Sequence, residues 1–587
     1  MTPFSTARTA VAVATLLSAS ARTTSAQAAL SDSLRIGINR VFATWTDADG
    51  PGCALGVSRD GKMIFQNGYG MANLEIGAPI TPATIFHVAS ISKQFTAASV
   101  LLLEKDGKLS LDDDVRTYLP ELPDYGHRIS IRHLLTHTSG LRDQWDLLGM
   151  ARGRFEEDRI TESDVLDIVP RQKALNFVPG TEYLYSNTGF TLAGTIVRRV
   201  SGKSLRAFAQ ERIFGPLGMT QSHFHDDYTM LVKGRAAAYV RGADGMWHVS
   251  IPNFDTYGAT SLYTTVGDLL KWTANAAKPV VGDAEMTRRM WTSATLANGD
   301  TSGYGLGITR EVYRGATVVG HGGADAGYRA HVATFPEQNL SIAVMCNAAS
   351  AVPAALMRGV ADIMLRDKLA PVAPPVRALA TPSAATLARM AAVWVDAATG
   401  TPTFITRRGD SLILGRTNGP VLVALSDTRF QVTGQPVEFS LTETGLMRQT
   451  LSWPTRTPVM LTRREVAPPS RAAFDRMVGT YYSEELGATY VITATDSTLV
   501  FKTRWADSVE LRPAYGDTFI GKFQVAFTRG RNAMVDGLLM SSGRVRNVRF
   551  VKSVRQPASR WVKAASGHRG AAPTAEPLTA AAPRWPT

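Results

Sequence analysis

The sequence contains little cysteine: Cys53 and Cys346 are the only two in 587 residues. Two thiols cannot supply the four ligands of a cysteine-only structural zinc site, so that class of site is excluded. Each cysteine lies in a strand-like apolar run, and we expect two small buried hydrophobic side chains. A disulfide would require these runs to be neighbouring strands, so the sequence leaves the pairing open.

Signatures of three other functional classes are also missing. Arginine and lysine are dispersed despite a formal net charge of +13, and no basic run contains interleaved aromatic residues. We therefore predict no nucleic-acid partner. The absence of a G-x-S-x-G pentapeptide argues against an α/β-hydrolase. His133 and His137 have metal-like spacing, but no glutamate follows His133, and we predict neither a metal nor a cofactor.

The beginning of the chain has the order of a secretory signal peptide. Arg8 precedes a short apolar stretch, and the following small residues end in Ala26-Gln27-Ala28, an A-x-A cleavage site. The stretch is too short to span a bilayer, and no other apolar run has spanning length. We expect residues 1–28 to be a signal peptide, no transmembrane segment, and a periplasmic or secreted mature protein.

The pattern after this segment changes twice. Residues 29–368 alternate strand-like and helix-like stretches, which predicts an α/β or α+β catalytic domain. A proline-rich linker, 369–384, follows it. Short alternating runs then fill 385–466 and 471–556, which predicts strands. Residues 557–587 are rich in alanine, proline and arginine, and we expect a disordered tail.

An internal repeat relates the two β-rich segments. Leu387–Met390 matches Phe474–Met477, and Val437–Phe439 matches Val525–Phe527, at an offset of about 87 residues. Two units of this size predict two small antiparallel, lipocalin-like β-barrels. A stacked solenoid is disfavoured because it would need more than two copies.

Ser90 and Lys93 lie three residues apart in an apolar helix-like segment that Gly107 ends. One helical turn places the amine beside the hydroxyl, and we expect Ser90 in the first turn. A serine hydroxyl is a poor nucleophile until a neighbour takes its proton, and a desolvated lysine can do so. Ser92 is the rival nucleophile, but Phe95 follows it at the same spacing and cannot accept a proton.

The second element is Tyr185-Ser186-Asn187, in a loop between helix-like segments. A tyrosine there can relay a proton if a nearby cation favours the phenolate, and the Asn187 amide can hold a substrate carbonyl. Taken alone, the element is better explained by a loop tyrosine whose ring packs and whose hydroxyl faces water.

The third element is His321-Gly322-Gly323-Ala324, after a strand-like run. Two glycines permit a substrate backbone to approach a strand edge closely. The N–H of Ala324, paired with that of Ser90, would form an oxyanion hole. Taken alone, His321 is better explained as a strand histidine with satisfied hydrogen bonds.

In this order, the three elements resemble the serine β-lactamase and penicillin-binding-protein superfamily, specifically its class-C-like branch. The resemblance covers roughly residues 40–350. It implies an α+β domain, with an antiparallel sheet flanked by helices and an all-helical subdomain. It also implies roles in catalysis for Ser90 as the acylated serine and for Lys93 and Tyr185 as acid and base. Contacts with substrate or oxyanion are implied for Asn187, His321, Gly323 and Ala324.

One departure from class C enzymes affects the substrate. Those enzymes carry Lys-Thr-Gly at the third element, whereas His321-Gly322-Gly323 is similar to D-aminopeptidases and some esterases of this branch. Loss of a fixed lysine charge weakens recognition of a substrate carboxylate. D-aminopeptidases of this family also carry two C-terminal eight-stranded barrels, and a barrel loop approaches their active site.

These features predict a serine hydrolase that cleaves a D-amino-acid peptide or amide, or a small ester. Two alternatives stay open. One is a β-lactamase, and the other is a penicillin-binding sensor or peptidoglycan-binding protein with little turnover. Esters, D-peptides and β-lactams share acyl-serine chemistry, so the motifs do not choose among them. Cell-wall-derived compounds are among the candidate substrates.

Overall fold

A computed structural model describes residues 30–553 apart from 155–156, 373–376, 434, 436, 452–456, 467–468 and 504–507. The expected signal peptide, 1–28, and the expected tail, 557–587, lie outside the described residues. Three units follow one another along the chain: an α+β domain and two closed eight-stranded barrels. The predicted fold class is therefore confirmed.

The described residues of the first unit form fifteen strands. Their bounds are β1 Cys53–Arg59, β2 Lys62–Tyr69, β3 Met71–Asn73, β4 Ala78–Pro79, β5 Phe86–His87, β6 Ile160–Thr161, β7 His223–Phe224, β8 Tyr239–Arg241, β9 Trp247–Val249, β10 Phe254–Asp255, β11 Leu262–Thr264, β12 Thr309–Tyr313, β13 Ala316–Asp325, β14 Tyr328–Phe335 and β15 Leu340–Cys346. Six of them form the central antiparallel sheet, in the order β12-β13-β14-β15-β1-β2.

Helices cover both faces of this sheet. Their bounds are α1 Asp32–Val41, α2 Ser92–Lys105, α3 Ile131–Leu135, α4 Gln144–Arg152, α5 Glu162–Ile168, α6 Asn187–Ser201, α7 Leu205–Ala209, α8 Gly215–Leu217, α9 Val266–Ala277, α10 Ala284–Trp291 and α11 Pro353–Met364. Helices α1 and α11 pack together on one face, and α9 packs on the other. Helices α2, α3, α6 and α7 pack against one another. Side-chain N-caps such as Thr161, Thr265 and Asp283 fix where several helices begin.

The two cysteines occupy neighbouring strands. Cys53 of β1 lies directly opposite Cys346 of β15, and a disulfide joins them. Both side chains are buried beside Leu55 and Val344, on the face that α1 and α11 cover. The expectation of two small buried side chains is correct, and the pairing that the sequence left open is formed.

The two barrels follow in chain order. The first contains α12 Ala384–Met390 and strands β16 Val393–Asp396, β17 Pro402–Arg408, β18 Ser411–Leu414, β19 Val421–Ala424, β20 Arg429–Val432, β21 Val437–Leu441, β22 Met447–Leu451 and β23 Val459–Arg464. The second contains α13 Arg471–Met477 and strands β24 Gly479–Ser483, β25 Ala488–Ala494, β26 Leu499–Lys502, β27 Val509–Tyr515, β28 Thr518–Ile520, β29 Gln524–Arg529, β30 Val535–Ser542 and β31 Val545–Lys552. We call them barrel 1 and barrel 2.

The sequence repeat corresponds to this duplication. Leu387 of α12 and Phe474 of α13 are equivalent in the repeat, and each is buried in the core of its own barrel. Phe439 and Phe527 likewise lie in the sixth strand of barrels 1 and 2. Alternate residues of the strands face inward and fill both interiors.

Within the described residues, no helix combines the length and the apolar character needed to cross a bilayer.

Candidate active site

Ser90 lies at the junction between a buried strand and a buried helix. It belongs to a 3-10 turn, Ala89–Ile91, and α2 begins only at Ser92. Ser90 therefore precedes the first α-helical turn in which we expected it. Ala89 has a φ of 47°, in the left-handed region that residues with a β-carbon rarely adopt. Strain of this kind persists where surrounding contacts fix the backbone, and it occurs often in active sites.

Ser92, the rival serine, has a structural position. Its buried hydroxyl donates to the carbonyl of Ala89 at 2.6 Å and accepts from the N–H of Leu262 at 2.9 Å. These bonds hold the turn that carries Ser90. The partly exposed Ser90 hydroxyl instead borders the cavity described below.

Lys93 is fully buried behind Ser90. Its Nζ donates to Ser90 Oγ at 3.0 Å, to Asn187 Oδ1 at 2.9 Å and to the Ala259 carbonyl at 2.7 Å. Burial lowers the pKa of Lys93 to about 7, against the opposing effect of the Asp325 carboxylate. A large neutral fraction is therefore present near neutral pH, and the neutral amine can accept the Ser90 proton.

Tyr185 is the second candidate acid–base residue beside Ser90. Burial raises the pKa of its hydroxyl well above the ordinary value, and the hydrogen bond with Ser90 only partly opposes this rise. The Lys93 Nζ lies 4.9 Å from the ring centroid. We expected a cation to favour the phenolate, but burial dominates, so Tyr185 is a neutral phenol that can donate a proton.

His137 supports the tyrosine loop. Its ring centroid lies 4.0 Å from that of Tyr185, and its Nδ1 accepts from the Ser186 N–H at 3.1 Å. The neighbouring His133 instead caps α3 through Ser130. The two histidines therefore have separate structural roles, and the described residues contain no cluster suited to a metal ion.

Asn187 is the first residue of α6 rather than a loop residue. Its position is fixed by Asp143, whose Oδ2 accepts from the Asn187 backbone N–H at 2.6 Å and from its side-chain amide at 3.0 Å. The amide oxygen of Asn187 is thereby directed to Lys93. Sequence reasoning missed Asp143, because its one local signal is that of an ordinary N-cap, which it also is for α4.

The third element forms the end of β13. β12 pairs with Ala316–Gly320, and β14 pairs with Val319–Asp325, so the last part of β13 extends beyond β12 and borders the cavity. A β-carbon on Gly323 would lie 2.1 Å from the Val88 carbonyl oxygen. Only glycine at this position therefore permits β13 to approach the turn Ala89–Ile91 that carries Ser90. The next residue of β13, Ala324, is exposed.

His321 carries no charge in this setting. Burial lowers its pKa to about 3. Its Nδ1 lies 2.5 Å from the Gly322 carbonyl, which can only accept, so Nε2 accepts from the Tyr304 hydroxyl at 2.8 Å. The lysine charge that class C enzymes carry at this element has no equivalent on His321. Tyr304 was not foreseen, because it precedes the motif and reaches it only through the fold.

These residues surround a cavity of about 530 Å³. Ser90, Tyr185, Asn187, His321, Gly323 and Ala324 line it, and Lys93 lies buried behind them. The structure thus brings all seven predicted residues together. Trp145 of α4 and Arg544, from the turn between β30 and β31 of barrel 2, also line it.

Comparison with known proteins identifies the first unit. The family model described as Beta-lactamase matches residues 38–363. The structure of the octameric penicillin-binding protein homologue from Pyrococcus abyssi superimposes with a TM-score of 0.53 at 23% identity, over 73% of this chain and 99% of that one. At that identity the likeness concerns the fold alone.

Two curated relatives bear the name D-aminopeptidase. The protein from Gluconobacter oxydans is 32% identical over 302 residues, which are 51% of this chain and 57% of the relative. The protein from Cereibacter sphaeroides is 28% identical over 452 residues, 76% of this chain and 82% of the relative. This chain thus covers only slightly more than half the length of the Gluconobacter protein.

Proposed function

Because the chain belongs to the β-lactamase family, we propose that it is a serine hydrolase that cleaves amide or ester bonds through an acyl-Ser90 intermediate. One observation carries the proposal: the buried Lys93 amine, with its pKa near neutrality, donates to Ser90 Oγ at 3.0 Å. An amine in this position can activate an otherwise weak nucleophile.

This geometry supports the following acylation step. Neutral Lys93 accepts the Ser90 proton as Oγ attacks the substrate carbonyl carbon. The N–H groups of Ser90 and Ala324 stabilise the resulting oxyanion. Tyr185 donates its proton to the leaving amine or alkoxide as the bond to the carbonyl carbon breaks, and Lys93 returns a proton to Tyr185. Water then attacks the acyl-serine with the same groups acting in reverse.

We propose D-amino-acid amides and peptides as the substrate class. Relatives named D-aminopeptidase support it. His321 is neutral, and both of its ring nitrogens form hydrogen bonds. The third motif therefore lacks the fixed positive charge of class C enzymes, which argues against an efficient β-lactamase. A sensor that is acylated once shares this site and differs only in the rate of deacylation.

The proposal is tested by covalent labelling and by turnover. The full-length protein is assayed on a D-alanine p-nitroanilide, a p-nitrophenyl ester and a chromogenic cephalosporin, and is labelled with a phosphonate. We expect one added mass on the peptide that contains Ser90. Ser90→Ala is expected to remove labelling and lower turnover by about 10³-fold or more. Undiminished turnover in Ser90→Ala would overturn the mechanism.

A control serine is available on α2, the helix that follows Ser90. Ser99 of α2 is fully buried, and its hydroxyl donates to the Phe95 carbonyl at 2.8 Å, away from the cavity. Ser99→Ala removes the same atom from α2 and is expected to retain labelling and turnover. Rapid labelling of the wild type without release of product would favour the sensor.

We also propose that the protein acts in the periplasm or outside the cell. The signal-like residues 1–28 support this, and so does the Cys53–Cys346 disulfide, since disulfides persist mainly in oxidising compartments. N-terminal sequencing of the exported protein is expected to begin near Ala29, and an intact Met1 would contradict the proposal.

A further inference from the structure

The turn between β30 and β31 reaches the cavity that contains Ser90. It consists of two residues, Gly543 and Arg544, between the paired Ser542 and Val545. Gly543 has a φ of 38°, and a β-carbon there would lie 3.1 Å from Asp146 Oδ2. A glycine at this position therefore permits the turn to approach α4.

The catalytic domain fixes the backbone of this turn. The Arg544 N–H donates to Asp146 Oδ2 at 2.8 Å, and its carbonyl accepts from Asn176 Nδ2 at 2.9 Å. Two residues further, the Arg546 N–H donates to Asn176 Oδ1 at 2.8 Å, and its guanidinium pairs with Glu182 at 2.9 Å. These contacts fix the backbone from which the Arg544 side chain extends.

The Arg544 guanidinium faces the cavity. Its centre lies 4.8 Å from the Tyr185 ring centroid, and 44% of the side chain is exposed. Its ionic contact within the described residues is with Asp143 Oδ2, at 3.8 Å, and that buried oxygen already accepts two bonds from Asn187. The donors of the guanidinium therefore remain available to a ligand.

Arg329 and Asp325, the other arginine and the carboxylate among the described residues of the cavity wall, already have hydrogen-bond partners. Arg329 donates through Nη1 to the carbonyls of Ala326 and Tyr328. Asp325, the one carboxylate among the described lining residues, is 6% exposed and accepts from the Thr260 hydroxyl. A substrate ammonium group would thus meet no accessible acid on this wall, whereas a substrate anion would meet Arg544.

We infer that Arg544 binds a carboxylate of the substrate and so makes barrel 2 part of the specificity pocket. This inference rests on the proposed hydrolase function and narrows its substrate class to acidic amides or peptides. The carboxylate can belong to the leaving amine, as in a free peptide C-terminus, or to the acyl part. Arg544 then supplies from barrel 2 the fixed charge that His321 does not supply.

Binding to the full-length Ser90→Ala variant tests this recognition without turnover. The leaving-group probe is N-acetyl-D-alanyl-D-alanine against its C-terminal amide, and the acyl-group probe is N-succinyl- against N-acetyl-D-alanine p-nitroanilide. In at least one pair, calorimetry is expected to show the acid binding about tenfold tighter or more, as a charge-assisted hydrogen bond allows. The pair that shows it identifies which part of the substrate carries the carboxylate.

Variants of Arg544 test whether this residue causes the tighter binding of the acid. Arg544→Gln is expected to abolish the preference, and Arg544→Lys to retain part of it. The control is Arg531→Gln, the same charge change in the turn at the other end of β30, which is expected to keep the preference. Equal or unmeasurable affinities in both pairs, or a preference that survives Arg544→Gln, would overturn the inference.

Turnover by the wild-type protein separates this inference from the proposed function. Acid-selective binding without any hydrolysis would contradict the hydrolase and leave the role of Arg544 standing. Hydrolysis of acid and amide probes at equal rates, with equal binding, would contradict the role of Arg544 and leave the hydrolase standing.

Discussion

Barrels 1 and 2 share a topology and a sequence repeat, yet they are integrated into the molecule in different ways. The buried apolar side chains of barrel 2 form one continuous cluster with those of the catalytic domain, whereas those of barrel 1 form a cluster of their own. Barrel 1 contacts barrel 2 through Arg416, which donates to the Pro513 carbonyl at 2.7 Å, and through Gly400. It contributes no described residue to the wall of the cavity.

A buried ion pair shows how far barrel 2 is integrated. Arg142 of the catalytic domain and Glu485 of barrel 2 lie 2.5 Å apart, with side chains 1% and 6% exposed. Gln172 accepts from Arg142, and the N–H groups of Lys173 and Arg549 donate to Glu485. Buried charges are tolerated only when paired, so this interface specifies one docking geometry. Of two barrels with the same fold, barrel 2 therefore lines the candidate active site and barrel 1 does not.

The largest expected effect comes from breaking the ion pair of barrel 2. Glu485→Leu leaves the Arg142 charge buried and unpaired, which costs about 3–5 kcal/mol in the free energy of unfolding. Urea denaturation followed by tryptophan fluorescence measures this loss. The matched change in barrel 1 is Glu438→Leu, since Glu438 pairs with an Arg429 side chain that is 56% exposed. That change is expected to cost less than about 1 kcal/mol.

A double variant distinguishes the cost of an unpaired buried charge from the cost of lost hydrogen bonds. Arg142→Met combined with Glu485→Leu replaces the pair with apolar side chains and is expected to recover most of the stability. If the double variant is as unstable as Glu485→Leu alone, the interface depends on the hydrogen bonds of Arg142 rather than on neutralising its charge.

A smaller effect is expected in the pH dependence of the rate. Catalysis needs neutral Lys93, so kcat/KM on a neutral ester is expected to rise with pH through about 7. Burial is the main cause that lowers the pKa of Lys93, Asp325 opposes it, and the cation of Arg544 adds a smaller lowering effect. Arg544→Gln removes that repulsion of the ammonium form, so the pKa rises and the acidic limb moves to higher pH.

The control separates this local effect from total charge. Arg531→Gln lowers the net charge equally, but its side chain lies in the turn at the far end of β30. Its acidic limb is expected to match that of the wild type, with both profiles measured at low ionic strength to limit screening. An unshifted limb in Arg544→Gln would place the guanidinium too far from Lys93 to influence it.

The sequence was sufficient where the signals are local or repeated. Three motifs predict seven candidate site residues, and the structure brings all seven together at one cavity. Both barrels follow from the repeat, since Leu387 and Phe474 begin the same pattern. In these parts of the structure, a few residues close together in the sequence determine the local conformation.

The sequence was insufficient where the decisive contact joins distant segments. Asp143 has only the local pattern of an N-cap, although it also orients Asn187. Arg544 is one arginine among many in a β-rich segment, and its place beside Tyr185 depends on how barrel 2 docks. The raised pKa of Tyr185 likewise results from burial, which no motif encodes.

The smallest expected effect concerns the contact of barrel 1 with the catalytic domain. Asp300 accepts from the Thr457 N–H at 2.8 Å and from its hydroxyl at 3.1 Å, and both residues lie at the surface. Exposed hydrogen bonds exchange readily with water, so Asp300→Ala is expected to cost about 0.5–1.5 kcal/mol at most. Because barrel 1 does not line the cavity, kcat/KM on every substrate is expected to stay within about twofold of wild type. A change in the ratio between acid and amide substrates would show that barrel 1 also positions the pocket, and the contrast between the barrels would then be wrong.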